Sequence, residues 1–162
     1  MASFYDHSAS MSSSSDSEYK QEHLEDLSYG NLTTIPDCIF QRAHSLHSLQ
    51  LDNNDITSLP SCIGLFKKLI VLDISSNDMT FICDEICHMS KLRTFIAKNN
   101  KLTTSSFPKD FGLLQSLEVV NVSGNQIDSM PPQFTELSKL KVLHLGGNRL
   151  RRLPNSIKRL YR

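Results

Sequence analysis

From residue 24 onward, apolar side chains recur in a fixed order: a run at alternate positions, a single residue beside an asparagine, then a more widely spaced group. Aligned on that asparagine, the copies read SLHSLQLDNNDITSLPSCIGLFK, KLIVLDISSNDMTFICDEICHMS, KLRTFIAKNNKLTTSSFPKDFGLLQ, SLEVVNVSGNQIDSMPPQFTELS and KLKVLHLGGNRLRRLPNSIKRLYR. Asn54, Asn77, Asn100, Asn125 and Asn148 are thus separated by 23, 23, 25 and 23 residues. A weaker opening copy, HLEDLSYGNLTTIPDCIF, keeps Leu27, Leu32, Ile35 and Pro36 in register but has Gly30 where the asparagine belongs. A fixed period of this length marks stacked, self-similar coils. The alternating pairs Leu49/Leu51, Leu72/Ile74, Phe95/Ala97, Val120/Val122 and Leu143/Leu145 predict short strands with one face inward. The wider spacing of Ile63 and Phe66, or Ile86 and Met89, predicts a helical or 3-10 turn on the outer curve. The expected fold is an α/β solenoid, a horseshoe with a short parallel sheet on its concave face and 3-10 or helical turns on its convex face.

The asparagine carries the chemistry that such a coil needs most. The chain must leave each strand and turn with its backbone groups partly buried, and an amide side chain supplies two donors and an acceptor to them. An asparagine ladder at residues 54, 77, 100, 125 and 148 is therefore expected to be structural. The 25-residue interval comes from Leu102 to Pro108, which takes six steps where Ile56 to Pro60 takes four. Two extra residues within Thr103–Ser106 then form either harmless slack on a lateral edge or a loop that meets a partner.

With the leucines inward, the alternate residues face the hollow. One column is Ser48, Val71, Thr94, Val119, Val142; the next is Gln50, Asp73, Ile96, Asn121, His144; the third is Asp52, Ser75, Lys98, Ser123, Gly146. Three valines and Ile96, bordered by hydrogen-bonding groups, suit a protein-contacting surface better than a catalytic pocket. The candidate contact set is Val71, Asp73, Ser75, Thr94, Ile96, Lys98, Val119, Asn121, Ser123, Val142 and His144. Five strands about 4.8 Å apart make a pad of about 400 Å², against about 800 Å² per partner in a standard interface. Flanking loops or further coils are expected to contribute. The last copy presents Leu143, Leu145, Leu150, Leu153, Ile157 and Leu160 without a recognisable polar cap, which suggests that the natural array is longer.

Residues 1–21 are Ser-rich and aperiodic, so a disordered tail is expected there, with Ser13 and Ser15 each three residues before an acid as candidate acidophilic kinase sites; residues 22–162 form the repeat domain of about six coils. Seventeen basic residues balance seventeen acidic ones, which gives no overall field for nucleic acid or an anionic membrane. The first 22 residues hold no apolar run of signal-peptide length, and no stretch approaches a membrane span, so a cytoplasmic location and reduced thiols are expected.

Catalytic chemistry finds little to stand on. Cys38, Cys62, Cys83 and Cys87 read as small buried hydrophobes; no Cys-x-x-Cys pair, His-Glu-x-x-His motif, phosphate loop or metal set is present, and no cofactor is expected. The rival readings are an enzyme subunit with one of those thiols as nucleophile, and a nucleic-acid contact through Arg149, Arg151, Arg152, Lys158, Arg159 and Arg162.

The copies carry L-x-x-L-x-L-x-x-N-x-L followed by a half with Leu-Pro or Met-Pro, as in Leu59-Pro60, Met130-Pro131 and Leu153-Pro154. This pattern resembles the intracellular 23-residue class of leucine-rich repeats found in plant and Ras-signalling proteins, over about residues 24 to 162. The resemblance implies a cytosolic, non-enzymatic recognition module for another protein, of the kind that serves as a signalling scaffold or as a substrate-recognition part of a ubiquitin ligase; a monomer is expected. Gly30 and Cys83 depart from the pattern, in the asparagine and proline series respectively.

Overall fold

A computed structural model describes residues 23–151. The Ser-rich segment with Ser13 and Ser15 lies outside the described residues, as do Arg152, Leu153, Ile157, Lys158, Arg159, Leu160 and Arg162.

Six strands, β1 (Leu24–Asp26), β2 (Ser48–Gln50), β3 (Val71–Asp73), β4 (Thr94–Ile96), β5 (Val119–Asn121) and β6 (Val142–His144), form one parallel sheet in chain order. Every step has the same register, so Glu25, Leu49, Leu72, Phe95, Val120 and Leu143 stand in one inward row. Five of the six strands coincide with the alternating pairs of the sequence. β1 escapes that pattern because Glu25 occupies the inward place of a leucine. Its carboxylate is ion-paired with Arg42, so a charged pair faces the first coil where the others have apolar contacts.

The outer halves are 3-10 turns: Asp37–Arg42, Ser61–Leu65, Asp84–His88, Lys109–Leu113 and Pro132–Glu136. Only about one turn fits before the chain must return to the next strand, which favours the short, tight form over an α-helix. Pro36, Pro60, Pro108 and Pro131 precede the turns, with φ between -53° and -72°, the range that the pyrrolidine ring fixes. Cys83 takes the same place with φ -68° and ψ 153°, so the departure from the proline series leaves the backbone path unchanged.

Between sheet and turns runs one continuous core. Leu46, Leu49, Leu51, Ile56, Ile63, Phe66 and Leu69 fill one coil, and each is fully buried. Side chains of this kind each contribute about 1.5–3 kcal/mol when removed from water. The four cysteines are not part of that set: Cys38 is exposed, and Cys62, Cys83 and Cys87 are half-buried. This corrects the expectation of buried thiols. In every turn the inward positions go to Ile39, Ile63, Ile86, Phe111 and Phe134, and the cysteines sit on the flanks between them.

The two-residue insertion is not slack. It forms an extra 3-10 turn, Thr104–Ser106, in which the Thr103 N–H donates to Ser106 Oγ at 2.8 Å. Ser106 Oγ donates to the Thr80 carbonyl at 2.6 Å, and the Ile82 N–H donates to the Ser106 carbonyl at 2.8 Å. On the other side the Thr104 hydroxyl reaches Asp128 at 2.6 Å. The insertion thus ties together the coils on both sides of it. It also delivers Phe107 into a cluster where its ring lies 4.9 Å from Phe134 and 5.5 Å from Phe111.

Candidate functional site

The asparagine ladder is the scaffold of the concave face. Asn77 Oδ1 accepts from the Ile56 N–H at 2.9 Å while its Nδ2 donates to the Leu51 carbonyl at 2.9 Å and the Ile74 carbonyl at 3.2 Å. Asn100 repeats this on Met79, Ile74 and Ala97, and Asn125 on Leu102, Ala97 and Val122. Asn54 and Asn148 close the series on Leu32 and Ile127. Each amide therefore bonds its own coil and the one before, and fixes where the next strand begins. In the opening copy Gly30 replaces the asparagine, and its N–H donates to Asn54 Oδ1 at 2.9 Å.

A second column escaped the sequence reading. The residue before each ladder asparagine, Asn53, Ser76, Asn99, Gly124 and Gly147, has positive φ between 51° and 67°. Asparagine and glycine tolerate that left-handed turn best. The signal was present in the dipeptides Asn53-Asn54, Asn99-Asn100, Gly124-Asn125 and Gly147-Asn148.

Register places the predicted contact residues side by side. The first concave column is Leu24, Ser48, Val71, Thr94, Val119, Val142, and the second Asp26, Gln50, Asp73, Ile96, Asn121, His144. Backbone bonds continue the ladder into the third: Tyr29 N–H to the Asp52 carbonyl, Asn53 to Ser75, Ser76 to Lys98, Asn99 to Ser123 and Gly124 to Gly146, at 2.8–3.0 Å. Val71, Thr94, Ile96, Val119, Asn121 and Ser123 are half-exposed, and Lys98 and His144 are exposed. The sequence missed Leu24 and Asp26, which extend the face by one strand.

One member of the set fails. Ser75 is 1% exposed; its hydroxyl and its N–H both donate to Asp73 Oδ1, the N–H at 2.9 Å. It is removed from the contact residues, and Asp73 is thereby held in one orientation. Asn121 is fixed the same way, accepting from the Ser123 hydroxyl at 2.7 Å and N–H at 3.1 Å. At the first strand, hydrogen bonds from Ser28 hold the Asp26 carboxyl below the ordinary carboxylate range. Such locked side chains reduce the rotamer entropy lost when a partner docks.

The charge on this face is graded. Asp26, Asp52 and Asp73 lie on the first three strands or just beyond them, and Lys98 just beyond the fourth.

Two of the thiols, Cys83 and Cys87, are poorly placed for nucleophilic chemistry. Burial, reinforced by Glu85, pushes the Cys83 thiol up to about 11. Burial, reinforced by Asp110 and Asp84, pushes Cys87 up to about 11 as well. Nucleophilic cysteines have lowered values instead. Among the described residues no group of three or more His, Cys, Asp or Glu side chains is arranged to hold a metal, and no helix is long and apolar enough to cross a membrane. Of the basic cluster, Arg149 and Arg151 are exposed at the end of the described chain.

A family model described as Leucine rich repeat matches residues 26–79, and a second of the same description matches 116–137 and 139–160. Leucine-rich repeat-containing protein 58 of Xenopus tropicalis is 45% identical over 85 residues, 52% of this chain and 24% of that protein. The match thus spans about a quarter of that relative's length. Among solved structures, a leucine-rich repeat protein of Leptospira interrogans superposes with a TM-score of 0.68 at 25% identity, covering 90% of this chain and 49% of that one. A chain of the BIR3–SERK2 complex of Arabidopsis thaliana gives 0.61 at 27% identity, over 80% and 68%.

Proposed function

Since the chain belongs to the leucine-rich repeat family, whose members generally mediate protein–protein interactions and are typically non-enzymatic, we infer that it is a protein-binding adaptor acting through its concave face. One observation carries this reading. Leu24, Val71, Val119 and Val142 stand in one register-matched column with Ile96 beside it, and all five are at least partly exposed on a sheet held by the ladder. Apolar side chains at the centre with oriented polar groups around them are what a recognition surface needs. Asp73, Asn121, Lys98 and His144 supply that rim, with Thr94 and Ser123 completing the contact set. The partner is a protein, and the similarity to a chain from the BIR3–SERK2 complex supports that choice. A cytoplasmic place, in a signalling scaffold or as a substrate-recognition part of a ubiquitin ligase, follows from the resemblance of the repeat class. The raised Cys83 and Cys87 thiols weigh against the rival enzymatic reading.

The test compares two variants that introduce carboxylates, by affinity purification and mass spectrometry. Ile96→Asp with Val119→Asp is expected to lose specific partners at least tenfold, whereas Leu113→Asp, on the exposed convex side, keeps them. Equal recovery from both proteins, each with unchanged circular dichroism, would sink the concave-face reading.

A further inference from the structure

The lateral edge that leads into the strands carries a feature unrelated to the concave columns. His23, His47, Ile70, Arg93, Glu118 and Lys141 immediately precede the strands, and from His47 onward each N–H donates to the carbonyl of the residue before it in that row, at 2.7–2.9 Å. Along the row runs an open groove of about 590 Å³, lined by His47, Lys68, Lys91, Arg93, Glu118 and Lys139 among others. Four cations face a single carboxylate there. Glu118 is already engaged by Arg93 at 2.7 Å and by Lys141 at 2.7 Å, and those two bonds hold its carboxyl below the ordinary range. Lys68, Lys91 and Lys139 have no carboxylate partner among the described residues.

The chain carries the complementary charge in the residues that precede His23 in sequence. His23, the first described residue, packs edge-on against His47 with ring centroids 4.6 Å apart, and His47 lines the groove. The 22 residues before it contain Asp6, Asp16, Glu18 and Glu22 against Lys20 alone. We propose that the groove is a docking site for this acidic segment of the same chain, laid along the edge as an extended peptide.

Length and charge both agree. From the β1 row, where His23 sits, to the β6 row there are five strand intervals, about 24 Å at about 4.8 Å each. Seven residues at about 3.3 Å cover that distance, which brings Glu18 and Asp16 level with Lys91 and Lys139. A tethered segment meets the groove at an effective concentration in the millimolar range, so weak, exposed ion pairs suffice where a free peptide of the same charge would not stay bound. The groove lies on the edge and leaves the concave columns open, so its occupation is independent of the proposed partner.

Zero-length carbodiimide coupling of the full chain tests this, because it joins a lysine to a carboxylate only when they touch. The Lys141–Glu118 pair at 2.7 Å and the Lys101–Asp78 pair at 2.8 Å are internal positive controls. Mass spectrometry is expected to find Glu22, Glu18 or Asp16 joined to Lys68, Lys91 or Lys139 in monomer-sized protein, at least fivefold more often than to Lys98 or Lys101. About 0.5 M salt should reduce these products, since screening shortens the range of exposed charges to a few ångströms. A Lys68→Glu, Lys91→Glu variant should lose most of the Lys139 products too, while Lys141–Glu118 persists. Equal coupling to Lys98 and Lys101, control products alone, or products confined to dimer-sized species would each overturn the proposal, the last by assigning the groove to a second copy.

Discussion

Asn100 accepts the Met79 N–H and donates to the Ile74 and Ala97 carbonyls, all in a site where water cannot replace it. Asn100→Ala strands one buried donor and two acceptors, and leaving such groups unpaired costs about 1–3 kcal/mol each. Bifurcation dilutes the acceptor share, so urea unfolding should show a loss of about 2–4 kcal/mol. The left-handed column gives a sharper contrast. Gly124 has φ +67°, and a Cβ there would overlap Asn99 Oδ1, whereas a Cβ on Gly146 meets nothing within 4 Å. Gly124→Ala should therefore lower stability by about 1–3 kcal/mol, and Gly146→Ala should change it by less than about 0.5 kcal/mol; equal effects in thermal unfolding would contradict the steric account. Cys83 and Cys87 make a pH prediction. Their folded values of about 11 lie above the ordinary thiol value of 9.0, so the folded chain keeps protons that the unfolded chain releases. That contribution is whole below about pH 9 and is lost as pH rises through 11. Iodoacetamide labelling of both thiols should accordingly keep accelerating beyond pH 9 and level off only near pH 11.

At the scale of single elements, the sequence was most legible where one physical cause dominated. Alternation of Leu49 with Leu51, or Val120 with Val122, announced β2 and β5 because an inward row must be apolar, and the asparagine spacing announced the coil length. β1 was illegible for the same reason in reverse: Glu25 pairs with Arg42, a residue 17 positions away that no local pattern reveals. The concave columns of β2 to β6 could be read from alternation alone. The failure of Ser75 could not, because its burial follows from a turn closed on Asp73 rather than from strand geometry. The insertion was visible as a count, yet its role rests on Phe107, whose partners Phe111 and Phe134 belong to two outer turns. Phe107→Ala should cost about 3–5 kcal/mol, as expected for removing a buried ring. Deleting Thr104 and Ser105, which restores the 23-residue period, should also destabilise the chain, since the turn bonds both neighbouring coils. A deletion mutant as stable as the parent in calorimetry would return the insertion to the status of slack.

Across the whole molecule, each coil touches only its neighbours, so stability is a sum of coil terms and interface terms rather than a property of one central core. Interior coils have two interfaces, and their inward rows are fully buried: Leu72, Phe95 and Val120 have no exposure. The described ends differ. β1 and β6 each show an exposed, half-buried, exposed pattern, with Glu25 and Leu143 in the inward row. An opening that frees β6 therefore gives up half-buried contacts, whereas freeing β4 disrupts fully buried ones and the Phe95 ring contact with Phe111. Local openings of this kind govern amide exchange. The Ile74 N–H, bonded to the Ile96 carbonyl, and the Ala97 N–H, bonded to Asn121, should accordingly be the slowest in the ladder. The Leu27 N–H, bonded to Gln50, and the Val122 N–H, bonded to His144, should exchange at least tenfold faster although Val122 itself is fully buried. Burial of the residue and stability of its coil thus make opposite forecasts for Val122. Rates resolved by NMR decide between them: slow exchange at Val122, matching Ala97, would mean that the solenoid opens all at once and that its coils are not separable units.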